Sequence, residues 1–187
     1  AGCHYSVRTL RRADSAQAGV GIVTTAVVVG NPKSASRTLR AATYLASELV
    51  GGELDLTVDL ATLGAAILDW GDEQVNDLVT QVGAADLVVF ASPTYKAAYT
   101  GLLKLFLDRF AGGTGLSGIA IPLMLGGSPA HALAPELTLR PVLTEIGGTV
   151  PGRGLYVVDA AYDNPAAYAE WLTATKPLVS TLLKAGS

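Results

Sequence analysis

Apolar residues in this chain fall into two kinds of run that take turns from one end to the other. One kind is short and continuous, as in Val-Thr-Thr-Ala-Val-Val-Val at Val23–Val29, Leu-Val-Val-Phe-Ala at Leu87–Ala91 and Ile-Ala-Ile-Pro-Leu-Met-Leu at Ile119–Leu125. The other kind is spaced at three and four residues, as with Leu39, Ala42, Leu45, Ala46 and Leu49 within Ser36–Val50. Continuous runs read as strands buried on both faces, and the 3.6-residue spacing reads as helix. Leu54–Leu60 alternates with period two as a second strand, and Gly154–Val158 makes a fifth. Helices are predicted over Glu73–Val82, Thr100–Phe110, His131–Ile146 and Pro165–Leu183. Five strands with intervening helices predict an α/β chain built on a doubly wound five-stranded parallel sheet. Pro122 lacks an N–H, which argues against a central position for the fourth strand.

With 187 residues the chain suits one domain with a full core. No period of about 20 to 50 residues repeats. The glycine-rich stretch Ala111–Gly118 is too short to divide the chain, so residues 21–187 are expected to form a single domain behind a tail of residues 1–20. That tail carries Arg8, Arg11 and Arg12 without an apolar core segment, so it reads as a surface extension or tag-like tail. The residues are 50% hydrophobic and 16% charged, which fits a sheet covered on both faces. A net charge of -3 without a basic stripe argues against nucleic acid as a partner. No apolar run reaches the roughly 18 to 20 residues of a membrane span, so a soluble protein is expected. Cys3 is the single cysteine and excludes an intramolecular disulfide, which agrees with a cytoplasmic location. Neither His4 nor His131 completes a zinc ligand set with it, and no metal is expected.

Candidate chemistry lies in the loops after three of the strands. After the first comes Gly30-Asn31-Pro32-Lys33-Ser34-Ala35-Ser36-Arg37-Thr38, which gathers hydroxyls and a guanidinium at the start of a helix. A helix N-terminus offers free N–H groups and the positive end of the dipole, so this is a candidate phosphate site; ordinary capping by Ser34 or Ser36 is the simpler alternative. The loop is not a P-loop, since no second glycine precedes Lys33, and it lacks the Gly-x-Gly-x-x-Gly of a dinucleotide fold. After the third strand comes Ser92-Pro93-Thr94-Tyr95-Lys96, where Tyr95 and Tyr99 offer flat faces beside a cation. A planar, electron-accepting ligand suits such a place. After the fourth strand, Gly126-Gly127-Ser128 lets the main chain approach a flat ligand without an intervening Cβ, or it serves only as a turn. In a parallel sheet all three loops share one edge, where open α/β sheets bind ligands.

These motifs resemble the NAD(P)H-dependent FMN reductases of flavodoxin-like fold, especially those that supply reduced flavin to two-component alkanesulfonate-type monooxygenases. The resemblance is carried by Gly30-Asn31-Pro32-Lys33 with Ser36-Arg37-Thr38, by Ser92 to Lys104, by Pro122-Leu123 with Gly126-Gly127-Ser128 and His131, and by Leu139-Arg140-Pro141-Val142-Leu143. It implies FMN as cofactor with NADH or NADPH as hydride donor. The phosphate would lie against Asn31, Lys33, Ser36, Arg37 and Thr38. The isoalloxazine ring would lie between Pro93, Thr94, Tyr95 and Lys96 on one side and Gly126, Gly127 and Ser128 on the other. No catalytic acid, base or nucleophile is implied, because the cofactor carries the chemistry. An FMN-dependent quinone or azo reductase and a flavodoxin-type electron carrier stay open as alternatives on the same fold. The resemblance further implies a homodimer or homotetramer built through the helix after the Tyr-Lys turn, where Tyr99, Leu102, Leu103, Leu105 and Phe106 are apolar. A monooxygenase partner is implied as well. In the sulfonate-linked branch an aromatic residue creates a π-bulge in the helix after the glycine turn, favouring flavin that enters and leaves as a substrate. Leu137 stands at that place here, which predicts a regular helix and a flavin retained as a prosthetic group.

Overall fold

The computed structural model describes residues 23–185. The expected N-terminal extension, with Cys3, His4 and its three arginines, lies outside the described residues. Strands β1 (Thr25–Val29), β2 (Leu56–Asp59), β3 (Leu87–Pro93), β4 (Ile119–Gly126) and β5 (Leu155–Val158) form one sheet in the order β2-β1-β3-β4-β5. All four neighbouring pairs are parallel. The chain therefore winds outward in both directions from the β1/β3 seam, the topological switch point of a flavodoxin-like sheet.

Alternate residues of each strand serve two cores. Val27, Val29, Leu87 and Val89 face helix α1 (Arg37–Val50) and helix α5 (Ala166–Ala185), meeting Ala42, Leu45, Tyr168 and Val179. Val28, Val88 and Phe90 face the opposite side, against helix α2 (Glu73–Gly83), helix α3 (Gly101–Leu107) and helix α4 (Arg140–Glu145). Burial on both faces explains why the central strands read as unbroken apolar runs.

Three expectations need correction. Leu54–Leu60 is not one strand: β2 ends at Asp59, whose carboxylate caps a 3₁₀ segment over Leu60–Leu68 that no helical spacing announced. Pro122 does not push β4 to the edge, for β4 pairs with β3 on one side and β5 on the other. The N–H of Ala120 donates to Thr149 O on the β5 side, and a residue two further along a strand points the same way. The nitrogen of Pro122 thus faces the gap between Thr149 and Leu155, before the β5 ladder begins, and no bond is lost.

The third correction concerns His131–Ile146, which is not a regular helix. A 3₁₀ turn covers Pro129–His131, a π-helical turn covers Pro135–Leu139, and only then does α4 begin. The amide of Arg140 reaches back five residues to Pro135 O. Pro135 and Pro141 each remove a donor from the ladder, so an extra residue in this turn displaces few regular bonds. Thr138 Oγ1 donates to Ala134 O at 2.7 Å and satisfies a carbonyl in the wide turn. The segment is therefore irregular with Leu137 in it, and Pro135 and Pro141 accommodate the wide turn.

Candidate functional site

The first loop is folded on itself by its own polar side chains. Asn31 Oδ1 accepts from the Lys33 amide at 2.9 Å, and Asn31 Nδ2 donates to Thr38 Oγ1 at 3.0 Å. The amide of Ala35, a residue at φ 50°, donates to Asp59 Oδ2 at 2.9 Å, which fixes the loop to the end of β2. Ser36 is the N-cap of α1: its hydroxyl accepts from Leu39 N at 3.2 Å, and its carbonyl accepts from Arg40 N. Of the four N–H groups that a helix start leaves without intrahelical partners, that of Leu39 is taken by the Ser36 hydroxyl, and those of Ser36, Arg37 and Thr38 remain for an outside acceptor. Ser36 and Thr38 are buried, whereas Lys33 and Arg37 are exposed. Arg37 is paired with Asp159 at the far end of β5 and lies 5.6 Å from the Tyr162 ring centroid.

Near the end of β3 the buried Ser92 anchors the loop that follows: its hydroxyl donates to Pro93 O at 2.8 Å and accepts from Thr100 N at 3.0 Å. Tyr95 and Ala98 exchange two main-chain bonds at 2.9 and 3.1 Å, closing a two-residue turn. Its central residues, Lys96 and Ala97, hold φ 51° and 65°, the left-handed region that non-glycine residues seldom adopt. This turn thrusts Tyr95 and Lys96 into solvent, with Tyr95 53% exposed. Thr100 then caps α3, accepting from Leu103 N. Burial pushes the Tyr99 phenol above its ordinary pKa.

The glycine turn is held from below by a residue that sequence reasoning missed. Tyr156, on β5, donates its hydroxyl to Ser128 O at 2.6 Å. A Cβ on Gly126 would lie 2.0 Å from that hydroxyl, so only glycine fits there; a Cβ on Gly127 would meet nothing within 4 Å. Gly127 and Ser128 are exposed, and Ser128 Oγ caps the following 3₁₀ turn. Burial raises the pKa of the Tyr156 phenol. The buried Thr94 Oγ1 lies close enough to influence that ionisation, yet outside hydrogen-bonding geometry, and it has no other partner.

Short bonds join the three loops. Gly30 N donates to Ala91 O at 2.8 Å, Thr100 Oγ1 donates to Gly30 O, and Thr94 N donates to Leu125 O at 2.6 Å. A Cβ on Gly30 would lie 2.4 Å from Leu103 Cβ, so the first loop can approach α3 only without a side chain. The structure thus brings Asn31, Lys33, Ser36, Arg37 and Thr38 to one end of the platform. Pro93, Thr94, Tyr95 and Lys96 lie on the central loop, with Gly126, Gly127 and Ser128 beyond them. Thr100, Tyr156 and Asp159 were not anticipated. A threonine before Gly-Leu-Leu is a cap signal that could have found the first, but Tyr156 and Asp159 are placed only by the sheet order.

The α3 residues are mostly turned inward: Leu103 and Phe106 are buried and Tyr99 and Leu102 partly so, which leaves Leu105 outward at 39% exposed. Larger apolar exposure lies on the segment around the π turn, at Leu133 and Leu137. Together with Ala97 they line an open groove of about 420 Å³. No helix among the described residues is long and apolar enough to cross a membrane.

The sheet order and the loop platform at its switch point define a flavodoxin-like α/β protein. Residues 23–163 match the family described as NADPH-dependent FMN reductase, and the chain belongs to that family. It is accordingly an NAD(P)H:flavin oxidoreductase by class, with FMN and a reduced nicotinamide as cofactors. An FMN reductase (NADPH) of Pseudomonas putida is 36% identical over 96 residues, a match spanning 51% of this chain and 45% of that protein. The NADH-dependent FMN reductase SfnF of Pseudomonas fluorescens is 27% identical over 165 residues, covering 80% of this chain and 88% of its own length. The solved structure of an NADH:FMN oxidoreductase, EMOB, in its apo form superposes with a TM-score of 0.77 at 27% identity, covering 86% of this chain and 90% of that one.

Proposed function

We propose that the chain reduces FMN with NAD(P)H and releases the reduced flavin to a separate acceptor, in the manner of the reductase half of a two-component monooxygenase. The observation that carries this reading is the hydrogen-bonded platform of three loops at the β1/β3 switch point. Its residues fit FMN. The Arg37 and Thr38 amides, the α1 dipole and the Arg37 guanidinium suit a phosphomonoester dianion. The open space over Gly127 admits a planar ring against main chain. When bound, FMN supplies a two-electron acceptor for the nicotinamide hydride.

The chain's own groups bind and orient. Ser36 and Thr38 keep the first turn of α1 in shape through Leu39 N and Asn31 Nδ2. Pro93, Thr94, Tyr95 and Lys96 border the ring site on the β3 side, while Gly126, Gly127 and Ser128, held by Tyr156, border it on the β4 side. Stacking a nicotinamide at attack distance requires one ring face open to solvent, and the exposure of Tyr95, Lys96 and Gly127 supports that arrangement. No side chain is needed as nucleophile or general base.

Release of flavin, rather than retention, is favoured by two features. Tyr95, Lys96 and Ser128, on the two loops that border the ring site, are exposed rather than enclosing, and the segment after the glycine turn carries the π turn that the family resemblance connects with exchangeable flavin. Leu105, Leu133 and Leu137 form the apolar surface through which we expect a homodimer or homotetramer to assemble. A cytoplasmic location suits a consumer of reduced nicotinamides.

Anaerobic stopped-flow mixing of the FMN-loaded protein with NADH and with NADPH tests the reading. Bleaching of the flavin band by either donor, and its return on admitting oxygen, is expected. Bleaching by neither donor would support an electron carrier instead, and faster reoxidation by quinones or azo dyes than by oxygen would favour the quinone or azo reductase reading.

A further inference from the structure

Arg37 is the first residue of α1, next to the proposed phosphate site, yet its Nη1 is paired with Asp159. Its side chain is 59% exposed and that of Asp159 is 39% exposed, so the pair sits in solvent and can exchange. The Tyr162 ring lies alongside the same guanidinium. Among the described residues, Arg37 is the only ion-pair partner of Asp159.

We propose that Asp159 is a specificity-determining residue that competes with the flavin phosphate for Arg37 and so keeps FMN exchangeable. This rests on the reading of the Ser36-Arg37-Thr38 turn as the phosphate site. A guanidinium offers a planar fork of donors that a carboxylate and a phosphomonoester fit equally well. When the dianion arrives, either Arg37 leaves Asp159 or two anions crowd one cation. In both cases the aspartate opposes the phosphate and ignores the ring. The α1 dipole and the free amides at its start still attract the phosphate, so the aspartate weakens binding without abolishing it. A reductase that must release its flavin gains from such a counterweight at the phosphate, because it leaves the ring contacts that orient the nicotinamide untouched.

Calorimetric titration of FMN and riboflavin into the full chain tests this, using the unaltered protein, Asp159→Asn, Asp159→Glu, Arg37→Ala and the Asp159→Asn/Arg37→Ala double variant. At low salt Asp159→Asn should tighten FMN by about two- to fivefold, the scale of an exposed ion pair, and leave riboflavin unchanged. Asp159→Glu should stay near the unaltered protein. The gain should disappear in the Arg37→Ala background and shrink at high salt. Unchanged or weaker FMN binding by Asp159→Asn would overturn the proposal, as would an equal change for riboflavin. The same gain without Arg37 would also overturn it, by showing a diffuse charge effect. Equal affinity of the unaltered protein for FMN and riboflavin would instead overturn the phosphate reading beneath it, and the proposal with it.

Discussion

Thr100 Oγ1 donates to Gly30 O at 2.5 Å, joining the cap of α3 to the first residue after β1 across 70 positions of sequence. The same hydroxyl accepts from Leu103 N at 3.2 Å, so one buried atom caps the start of α3 and ties two loops together. The phosphate and ring ends of the proposed site are therefore tied directly to each other.

Replacing Thr100 with valine keeps the shape and removes both bonds. Losing a helix cap costs about 1 kcal/mol, and leaving the Gly30 carbonyl without its partner adds about 1–3 kcal/mol. A urea midpoint lowered accordingly, with weaker FMN binding, is the expected outcome. A variant with an unchanged midpoint would show that the two loops are not joined through this hydroxyl.

Gly126→Ala should disturb the glycine turn, because its Cβ would lie 2.0 Å from the Tyr156 hydroxyl and 2.9 Å from Tyr156 Cζ. Overpacking of this kind costs about 1–3 kcal/mol. Tyr156→Phe removes the nearer clash, so the double variant should recover part of the loss of FMN affinity seen with Gly126→Ala. Flavin titration of the three variants checks this, and strictly additive losses would count against the contact. Gly127→Ala, facing open space, should fold normally.

Much of this architecture is visible in the residue pattern, for a physical reason. Strands buried on both faces must be continuous and apolar, and those of Val27, Val89 and Ile121 stand out from the helices beside them. Patterns fail where a tertiary partner decides. Leu60 continues the period-two alternation of β2 although the chain has already turned at Asp59. Leu133 and Leu137 have the spacing of a buried helix face, yet both are exposed and the second sits in the π turn. At the site, Ser36 and Thr38 are legible as helix-start residues, but their hydroxyls serve the fold through Leu39 N and Asn31 Nδ2. Tyr156 and Asp159 approach the platform only because β5 lies next to β4, a fact of sheet order that no local motif carries.

Ser36→Ala should thus act on stability as well as affinity. Its hydroxyl caps α1, and removing such a cap costs about 1 kcal/mol. Thermal unfolding without flavin should show this loss, and titration should show a further weakening for FMN but little for riboflavin. An unchanged melting temperature in the flavin-free protein would contradict the capping assignment.

Tyr168 provides a pH signature of the fold. It is fully buried and donates its hydroxyl to Tyr162 O at 2.5 Å, and burial, with Tyr44 and Asp163 nearby, pushes its pKa up to about 12. A phenol whose folded pKa exceeds the unfolded value of 10 contributes stability that is complete below pH 10 and is lost as pH rises from 10 towards 12. Denaturant midpoints should therefore fall across that window, on the order of 2 kcal/mol from this group. Tyr168→Phe should be less stable at neutral pH but should show a shallower alkaline decline; an equally steep decline would place the effect elsewhere.

Initial-rate kinetics with NAD(P)H and FMN varied together test the central claim most directly. A flavin that enters, is reduced and leaves should give intersecting double-reciprocal lines, with FMN lost from the protein on desalting. Parallel lines with FMN that survives desalting would mean a retained flavin passing electrons onward, and would contradict the account.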